Sequence, residues 1–374
     1  MTFKGRAVVL DQPNGTFSIV EQVLPDVDPG GMIVKQEMCG VCGTDAHLYR
    51  GHSPTLKYPI VMGHENVGIV AEMGRDAQRV DVTNRPVKEG DRVYVIPGYR
   101  CGKCYYCKVL QQPNLCPNGG GIGFRPYADQ PLEVQGGYAD YIWMRAGQGC
   151  LRVDVDPKTI CALEPISIGV HVASQYHFQP GETVVIQGAG AVGLGTLLAA
   201  KEMGAAKTVV IGAPASRLEL ARKFGADEVI SLDEVKSPEE RVALVQKMSV
   251  GGYGADVVFE CTGFPKAIIE GIDMMRRGGT YIVAGHFTDA GPLTLNPFVH
   301  LNRKSVTLKG VWSSEPVHFV RARAIVESGK YPIGELTSHV VPLERAADAI
   351  EAMISGKYLL DGQEVRKIGI SAAL

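Results

Sequence analysis

A glycine-rich turn that follows a short β-prone strand constrains the fold of this chain more than any other feature. Residues 183–187 form the strand, and residues 188–193 follow it with the spacing GxGxxG and open a helix. The first glycine permits a tight bend, the second lets the backbone approach a pyrophosphate, and the third lets helix and strand pack closely. The positive end of the helix then faces the phosphates. The pattern therefore predicts a unit that binds a dinucleotide.

Alternating strands and helices continue after this turn. The predicted strands are residues 208–211, 229–230, 256–260 and 280–284, and the predicted helices are residues 217–224, 238–248 and 265–275. Such a βαβ series predicts a parallel, doubly wound sheet of the Rossmann type. Residues 1 to about 60 instead alternate short β-prone runs with turns rich in Pro, Gly and Asp, and residues 67–72 and 91–96 add two more predicted strands. This pattern predicts a β-rich lobe. For 374 residues we expect two domains and an α/β fold class.

Composition and charge narrow the functional classes. The formal net charge is −2 and the hydrophobic share is 45%, which indicates a globular protein that binds neither nucleic acid nor an anionic membrane surface. No uncharged run reaches the roughly 18 residues of a membrane span, and no basic and then apolar leader opens the sequence. A cytoplasmic location is therefore expected.

Four of the nine cysteines lie in one short segment with the spacing of a metal site. They are Cys101, Cys104, Cys107 and Cys116. Four thiolates can enclose one tetrahedral zinc ion with no open position, so a structural zinc is predicted. An odd number of cysteines in a chain without an export signal argues against disulfides. An iron–sulfur cluster and a group of four reduced cysteines remain as alternatives.

A second candidate metal site combines a thiol, an imidazole and carboxylates. Cys42, His64 and Glu65 offer the sulfur, nitrogen and oxygen ligands that Zn²⁺ prefers over Mg²⁺ or Ca²⁺. Glu164 stands alone in an apolar run, where an unpaired carboxylate is costly, so it is the best candidate for a third ligand. In the alternative interpretation, Cys42 is a small buried apolar residue and His64 is a core histidine with satisfied hydrogen bonds.

The end of the second nucleotide-domain strand bears on the choice of dinucleotide. An acid about 20 residues after the glycine turn would bind the adenosine ribose hydroxyls, but Gly212 stands there instead. With glycine at position 212, no carboxylate is present there to repel the 2′-phosphate of NADP. Glycine also supplies no cation to bind that phosphate. Arg217 could bind that phosphate or lie beside the ribose of NAD. The choice between NAD and NADP stays open, with a slight preference for NAD.

In their order along the chain, these motifs resemble those of the zinc-dependent medium-chain dehydrogenases and reductases, the superfamily of alcohol and sorbitol dehydrogenases. The resemblance covers essentially the full length and is carried by residues 42–47, 63–65, the four cysteines, residues 164–165 and residues 188–193. It implies a GroES-like catalytic domain of residues 1–168 and 310–374 and a Rossmann domain of residues 169–309. It also implies an active site in the cleft between domains and a homodimer or homotetramer.

The resemblance assigns metal ligands. Cys42, His64 and Glu164 would hold a catalytic zinc with one position open, and Glu65 could serve as an alternate ligand. Asp45 would orient His64 and fix its tautomer. With the four-cysteine site, two zinc ions per chain are expected.

The resemblance also implies a proton path and a cofactor site. Thr44 would pass the substrate proton through the cofactor ribose to His47 and then to solvent. The residues expected at the cofactor are Gly188, Gly190, Val192, Gly193, Gly212, Arg217, Val283, Val311 and Ser313.

The function implied is a zinc-dependent alcohol dehydrogenase that transfers a hydride between an alcohol and NAD or NADP, giving an aldehyde or ketone. Glu164 and Pro165 resemble the polyol branch of the superfamily, which implies a secondary, polyol-like alcohol. Candidate pocket side chains would instead favour a bulky or partly apolar alcohol; they are Tyr49, Tyr99, Phe124, His286 and Trp312. Two alternatives stay open. One is a zinc-stabilised, nucleotide-binding redox sensor without turnover, and the other is a reductase of activated double bonds.

Overall fold

The computed structural model describes residues 3–53, 56–124 and 136–374. It divides into two units, each assembled from more than one segment. Unit 1 comprises Met1–Glu164, Glu315–Val320 and Ile333–Leu374, and unit 2 comprises Pro165–Ser314 and Arg321–Pro332. None of the helices in the described residues combines the length and the apolar character needed to cross a bilayer.

Short strands dominate the first part of unit 1. The strands are β1 (Lys4–Leu10), β2 (Phe17–Val23), β3 (Met32–Val41), β4 (Ile60–Val61), β5 (Glu65–Met73), β6 (Arg92–Val95), β7 (Gly98–Tyr99), β8 (Gly120–Gly121), β9 (Tyr141–Met144) and β10 (Cys150–Arg152). The helices are α1 (Gly43–Tyr49), α2 (Tyr105–Lys108) and α3 (Pro157–Ile160).

Strands and helices alternate from α4 onward. The strands are β11 (Thr183–Gln187), β12 (Lys207–Gly212), β13 (Glu228–Ser231), β14 (Ala255–Glu260), β15 (Met275–Val283) and β16 (Thr307–Gly310). The helices are α4 (Leu163–Ala173), α5 (Ala191–Glu202), α6 (Ala215–Lys223), α7 (Pro238–Met248), α8 (Pro265–Met274) and α9 (Pro316–Glu327). The remaining elements are β17 (Thr337–Pro342), α10 (Ala346–Ile354), β18 (Leu359–Leu360), β19 (Gln363–Glu364) and β20 (Lys367–Ser371).

Unit 2 contains a six-stranded parallel sheet with the order β13-β12-β11-β14-β15-β16. The central strand β11 is buried along its whole length, as expected for a parallel strand covered on both faces. The direction of winding changes at β11, since β12 lies on one side of it and β14 on the other. Ligands of such sheets bind at the carboxyl ends of the strands near this point. The parallel, doubly wound sheet expected from the βαβ series is confirmed.

The large sheet of unit 1 joins strands that are far apart in sequence. Its order is β10-β6-β5-β3-β20-β17, and β9 also pairs with β3. In the antiparallel registers on either side of β3, Gly40 lies opposite Glu65 on β5 and opposite Gly369 on β20. The ends of three strands therefore meet beside Cys42, the residue that follows β3.

Helix α1 continues directly from the end of β3. Its only fully buried apolar side chain, Leu48, belongs to a core cluster that also includes Ala349 and Ile350 of α10. Burying a leucine of this kind stabilises the fold by about 2 kcal/mol. This contact fixes α1 in place, and the helix carries Thr44, Asp45 and His47.

Candidate active site

Cys42, His64 and Glu65 lie together in unit 1. Each offers one ligand atom, and these three atoms lie within 4.8 Å of one another. The strand register explains the grouping, because Glu65 begins β5 directly opposite Gly40, two residues before Cys42. His64 is 4% exposed and Glu65 is fully buried. A partly buried thiol with a buried imidazole and carboxylate at this separation can hold a divalent metal ion such as zinc.

Gly40 makes room for the Glu65 carboxylate. A Cβ atom added at Gly40 would lie 1.8 Å from Glu65 Oε2 and 3.0 Å from Lys367 Cε. Any side chain there would displace the carboxylate, so the glycine is required by close approach.

Asp45 is fully buried behind the cluster. Its Oδ2 accepts hydrogen bonds from the Cys42 backbone N–H at 2.8 Å and from the Tyr138 hydroxyl at 3.0 Å. Its Oδ1 lies 3.6 Å from His64 Nδ1, and neither of these two buried atoms has a hydrogen-bond partner. Burial alone would lower the pKa of His64, but Asp45 and Cys42 outweigh it and raise that pKa well above its usual value. Asp45 Oδ1 and His64 Nδ1 are thus placed as in metal sites where a carboxylate orients the imidazole that binds the metal.

Glu164, the third predicted ligand, is not in the group of three atoms. It lies in the first turn of α4 and is 9% exposed. Burial raises its pKa to about 7, the charge of His64 opposes that rise, and Glu65 adds to it. Glu164 is therefore within electrostatic reach of the group.

The four cysteines of the second predicted site come together as a tetrahedron. Two pairs of sulfur atoms, Cys104–Cys107 and Cys101–Cys116, are 3.5 Å apart. The Cys104–Cys116 pair is separated by 3.7 Å and the Cys101–Cys107 pair by 4.0 Å. Four thiolates about 2.3 Å from a zinc ion define a tetrahedron with edges of about 3.8 Å. The sulfur positions fit one zinc ion, and all four cysteines are free of disulfides.

Hydrogen bonding prepares one of these thiols to ionise. The backbone N–H of Lys103, followed by smaller contributions from Cys104 and Cys116, lowers the pKa of Cys101 to about 6. Burial raises the pKa of Cys107 to about 12. Cys101 therefore ionises more easily than Cys107, as expected when several thiols are crowded together. A bound cation would favour the thiolate form of all four.

The glycine turn of unit 2 has the geometry of a phosphate-binding loop. Gly188 has φ of +107°, in the left-handed region that favours glycine. A Cβ at Gly193 would lie 1.9 Å from the Gly188 carbonyl oxygen, so helix α5 packs too closely for a side chain. Gly190 is the N-cap residue of α5, and a Cβ there would meet open space. The helix N-terminus beside Val192 is therefore accessible to a ligand.

The end of β12 excludes an acidic side chain. A Cβ added at Gly212 would lie 2.6 Å from the Ala189 side chain and 2.9 Å from the Ala189 backbone nitrogen. The glycine turn itself occupies the space that an aspartate would need. Arg217, in the first turn of α6, is only 7% exposed.

Val283, Val311 and Ser313 follow one another at the carboxyl ends of β15 and β16. The Val311 N–H donates to the Val283 carbonyl oxygen at 2.9 Å. Ser313 has φ of +61°, and its carbonyl oxygen lies 2.5 Å from His171 Nδ1. The structure thus places all three of these predicted cofactor residues at the same edge of the sheet as the glycine turn.

The five residues predicted to line the substrate pocket have different surroundings in the structure. Phe124 packs edge-on against the His64 imidazole, with the two ring centroids 5.4 Å apart. Trp312 is half-exposed and stacks on Phe287 at 5.8 Å. Tyr49 stacks on Phe17 at 5.8 Å, which favours a packing role. His286 Nε2 lies 3.7 Å from Glu260, and Tyr99 forms a short strand opposite Gly120.

Comparison with known proteins assigns the chain to a family. Residues 28–155 match the family described as alcohol dehydrogenase GroES-like domain, and residues 191–327 match zinc-binding dehydrogenase. A 5-exo-hydroxycamphor dehydrogenase of Pseudomonas putida is 31% identical over 95% of this chain and 97% of its own length. The chain belongs to the zinc-dependent medium-chain alcohol and sorbitol dehydrogenase family.

Two further relatives share this architecture. A sorbitol dehydrogenase of Bacillus subtilis is 31% identical over 89% of each chain. The crystal structure of an alcohol dehydrogenase from Thermotoga maritima matches 99% of each chain with a TM-score of 0.90 and 32% identity. The predicted resemblance and the α/β class, a GroES-like domain with a Rossmann domain, are confirmed. The protein is an oxidoreductase of the zinc-dependent alcohol dehydrogenase type.

Sequence reasoning missed one residue that contacts the group of Cys42, His64 and Glu65. Lys367, on β20, forms an ion pair with the Glu65 carboxylate, and both side chains are buried. Its Nζ also lies 3.4 Å from the Val41 carbonyl oxygen. Burial lowers the pKa of Lys367, but Glu65 outweighs that and raises the pKa above its usual value. The sequence offered one sign of this contact, because Lys367 directly precedes the short, largely apolar run of residues 368–370.

Proposed function

We propose that this chain is a zinc-dependent dehydrogenase that transfers a hydride between a secondary or polyol-like alcohol and NAD or NADP, giving the carbonyl compound. The cluster of Cys42, His64 and Glu65, with Asp45 behind it, carries the proposal. Such a donor set beside a buried orienting carboxylate is unusual outside metal sites. The sorbitol dehydrogenase among the relatives supports the substrate class.

We propose two zinc ions per chain. Cys42, His64 and Glu164 would hold the catalytic ion, with Glu65 as the alternate ligand, and the four cysteines would hold a structural ion. When bound, the catalytic ion supplies Lewis-acid chemistry that lowers the pKa of a coordinated hydroxyl. Lys367 neutralises Glu65 in the metal-free cluster, which limits the repulsion among the buried carboxylates.

The proton of the alcohol needs a path of its own. Thr44 Oγ1 lies 3.7 Å from Cys42 Sγ, so its hydroxyl stands at the metal cluster. His47 lies one turn further along α1. We assign Thr44 and His47 to the proton path, with the cofactor ribose between them. Burial lowers the pKa of His47, which keeps the imidazole neutral and able to accept a proton near neutral pH.

The dinucleotide would bind at the glycine turn and at the carboxyl ends of the unit 2 strands. The residues proposed to contact it are Gly188, Gly190, Val192, Gly193, Gly212, Arg217, Val283, Val311 and Ser313. We favour NAD, because the buried Arg217 has little exposed guanidinium to offer a 2′-phosphate. Gly212 leaves no acid to repel that phosphate, so NADP is tested in parallel.

We also propose that the protein assembles as a homodimer or homotetramer. Strand β16 is the edge of the six-stranded sheet, and all four of its residues are exposed. An exposed sheet edge presents unpaired backbone groups that a second chain can pair with. Light scattering at several protein concentrations would give the mass.

Absorbance of the reduced nicotinamide tests the central proposal. Purified protein is mixed with NAD⁺ or NADP⁺ and with primary, secondary, polyol and aromatic alcohols, each with and without a zinc chelator. A signal that the chelator abolishes supports the dehydrogenase and identifies cofactor and substrate class together. Cofactor binding without turnover on any alcohol would support a redox sensor. Oxidation of the reduced cofactor only by activated double bonds would support a reductase.

Metal analysis gives an independent test. About two zinc ions per chain support a catalytic and a structural site, and about one supports the structural site alone.

A further inference from the structure

A second histidine stands directly against His47. His47 Nδ1 lies 3.1 Å from His52 Nδ1, which is within hydrogen-bonding distance. The two rings are tilted by 45° with their centroids 5.3 Å apart. His52 is exposed, whereas His47 is partly buried.

The end of helix α1 holds this pair together. Gly51 has φ of +72°, and its N–H donates to the Leu48 carbonyl oxygen at 2.9 Å. The N–H of His52 donates to the His47 carbonyl oxygen at 3.0 Å. These two bonds form a Schellman motif, which places the second residue beyond the helix beside the residue that begins the last turn. The backbone therefore fixes the imidazoles in contact.

We propose that His52 accepts from His47 the proton that alcohol oxidation releases and passes it to water. This inference rests on the proposed function. In the oxidation, the carbinol C–H bond breaks and its electron pair moves to the nicotinamide as hydride. The O–H bond breaks as well, and its proton travels through Thr44 and the ribose to His47. One proton then enters His47 at one ring nitrogen and one leaves from Nδ1 to His52, so protons balance at each step.

The electrostatics around His47 favour release of the proton toward His52. Burial lowers the pKa of His47, and the charges of His52 and Arg50 lower it further. Arg50 is a permanent cation at the end of the same helix, so its field acts against a positive charge on His47. Arg50 donates to the Ile354 carbonyl oxygen of α10, which holds it at the helix end. A proton on His47 is therefore unstable, and the exposed His52 delivers it to solvent.

Because His52 acts through His47, it is a positioning residue, and its test needs a readout that a structural role would not change. His52→Gln keeps a hydrogen-bonding side chain without a titrating group, and His52→Ala leaves space for a free imidazole. His177→Gln is the matched control, since His177 is exposed in unit 2.

The rate of alcohol oxidation is measured across pH for each variant. We expect His52→Gln to lower kcat about tenfold with little change in KM, as for a lost acid–base partner. We expect added imidazole to restore His52→Ala, and His177→Gln to match the wild type. Unchanged rates for both His52 variants would overturn the proposal. A slow His52→Ala that imidazole does not restore would also overturn it, because a structural defect is not repaired by a proton carrier.

The inference and the proposed function fail in distinguishable ways. A wild type without turnover on any alcohol overturns the proposed function and the relay with it. A fast wild type with an equally fast His52→Gln variant overturns the relay alone. NMR titration gives a readout apart from turnover: the pKa of His47 should rise when His52 is replaced by Gln, and an unchanged value would contradict the coupling between the rings.

Discussion

Replacing Lys367, the cation of the buried Lys367–Glu65 ion pair, should strongly destabilise unit 1. In Lys367→Met, Glu65 loses its partner while remaining fully buried. Breaking a buried ion pair on one side costs about 3–5 kcal/mol, because an uncompensated charge is left in the interior. For a unit of this size, such a loss lowers the melting temperature by roughly 6–20 °C. Differential scanning calorimetry at neutral pH, with zinc removed from both proteins by a chelator, measures the shift.

Neutral pH suits this measurement because the pKa of Lys367 is shifted upward. Its pKa is raised in the folded state, so its contribution to stability is fully present below the ordinary lysine pKa. That contribution is lost only as the pH rises through the folded value. Neutral pH therefore reports the whole effect.

Two companion variants separate charge from packing. Glu65→Gln combined with Lys367→Met removes both charges, and it should recover most of the lost stability. Lys35→Met makes the same substitution at an exposed position of β3 in the same unit and should leave the melting temperature unchanged within a degree or two. A stable Lys367→Met variant, or a double variant as unstable as the single one, would refute the reasoning.

The remaining predictions concern the metal and cofactor sites. Cys42→Ser should abolish turnover and remove one zinc ion while circular dichroism stays unchanged, whereas Cys104→Ser should remove the other ion and mainly lower stability; the reverse pattern would contradict the assignment. Gly40→Ala should displace the Glu65 carboxylate and weaken zinc binding at least tenfold, measured by competition with a chromophoric chelator. Gly212→Asp should weaken binding of both dinucleotides in calorimetry, because its Cβ would collide with the glycine turn; tight NAD binding would show that the turn yields.

The parts of the site that follow from local spacing could be predicted. The close spacing of four cysteines restricts where their sulfur atoms can lie, and the structure brings these atoms within 4.8 Å of one another; the cysteines are Cys101, Cys104, Cys107 and Cys116. The turn at residues 188–193 is equally local, since strand, turn and helix are consecutive.

Lys367 could not be found in the same way. It reaches Glu65 only because β20 pairs with β3, more than 300 residues earlier in the chain. Nothing in a single sequence specifies that pairing or its register.

The predicted boundary between helix α8 and strand β15 was wrong. The sequence predicts a helix to residue 275 and a strand from residue 280. The structure instead begins β15 at Met275, and the pairing with β14 is irregular up to Thr280. Gly278 has φ of +69°. Gly278 and Gly279 therefore form an irregular stretch within β15 and do not end the strand.

The pairing of β20 with β3 also sets an order of events during synthesis. Cys42, His64 and Glu65 emerge from the ribosome early, but the lysine that neutralises Glu65 is made 326 residues after Val41, whose carbonyl it contacts. Until then Glu65 has no buried cation, and the sheet lacks the strand beside β3. The catalytic site can therefore close only after nearly the whole chain has been translated. On the proposed assignment, the catalytic zinc would bind after translation, whereas the four-cysteine segment would be able to bind its ion as soon as Cys116 appears.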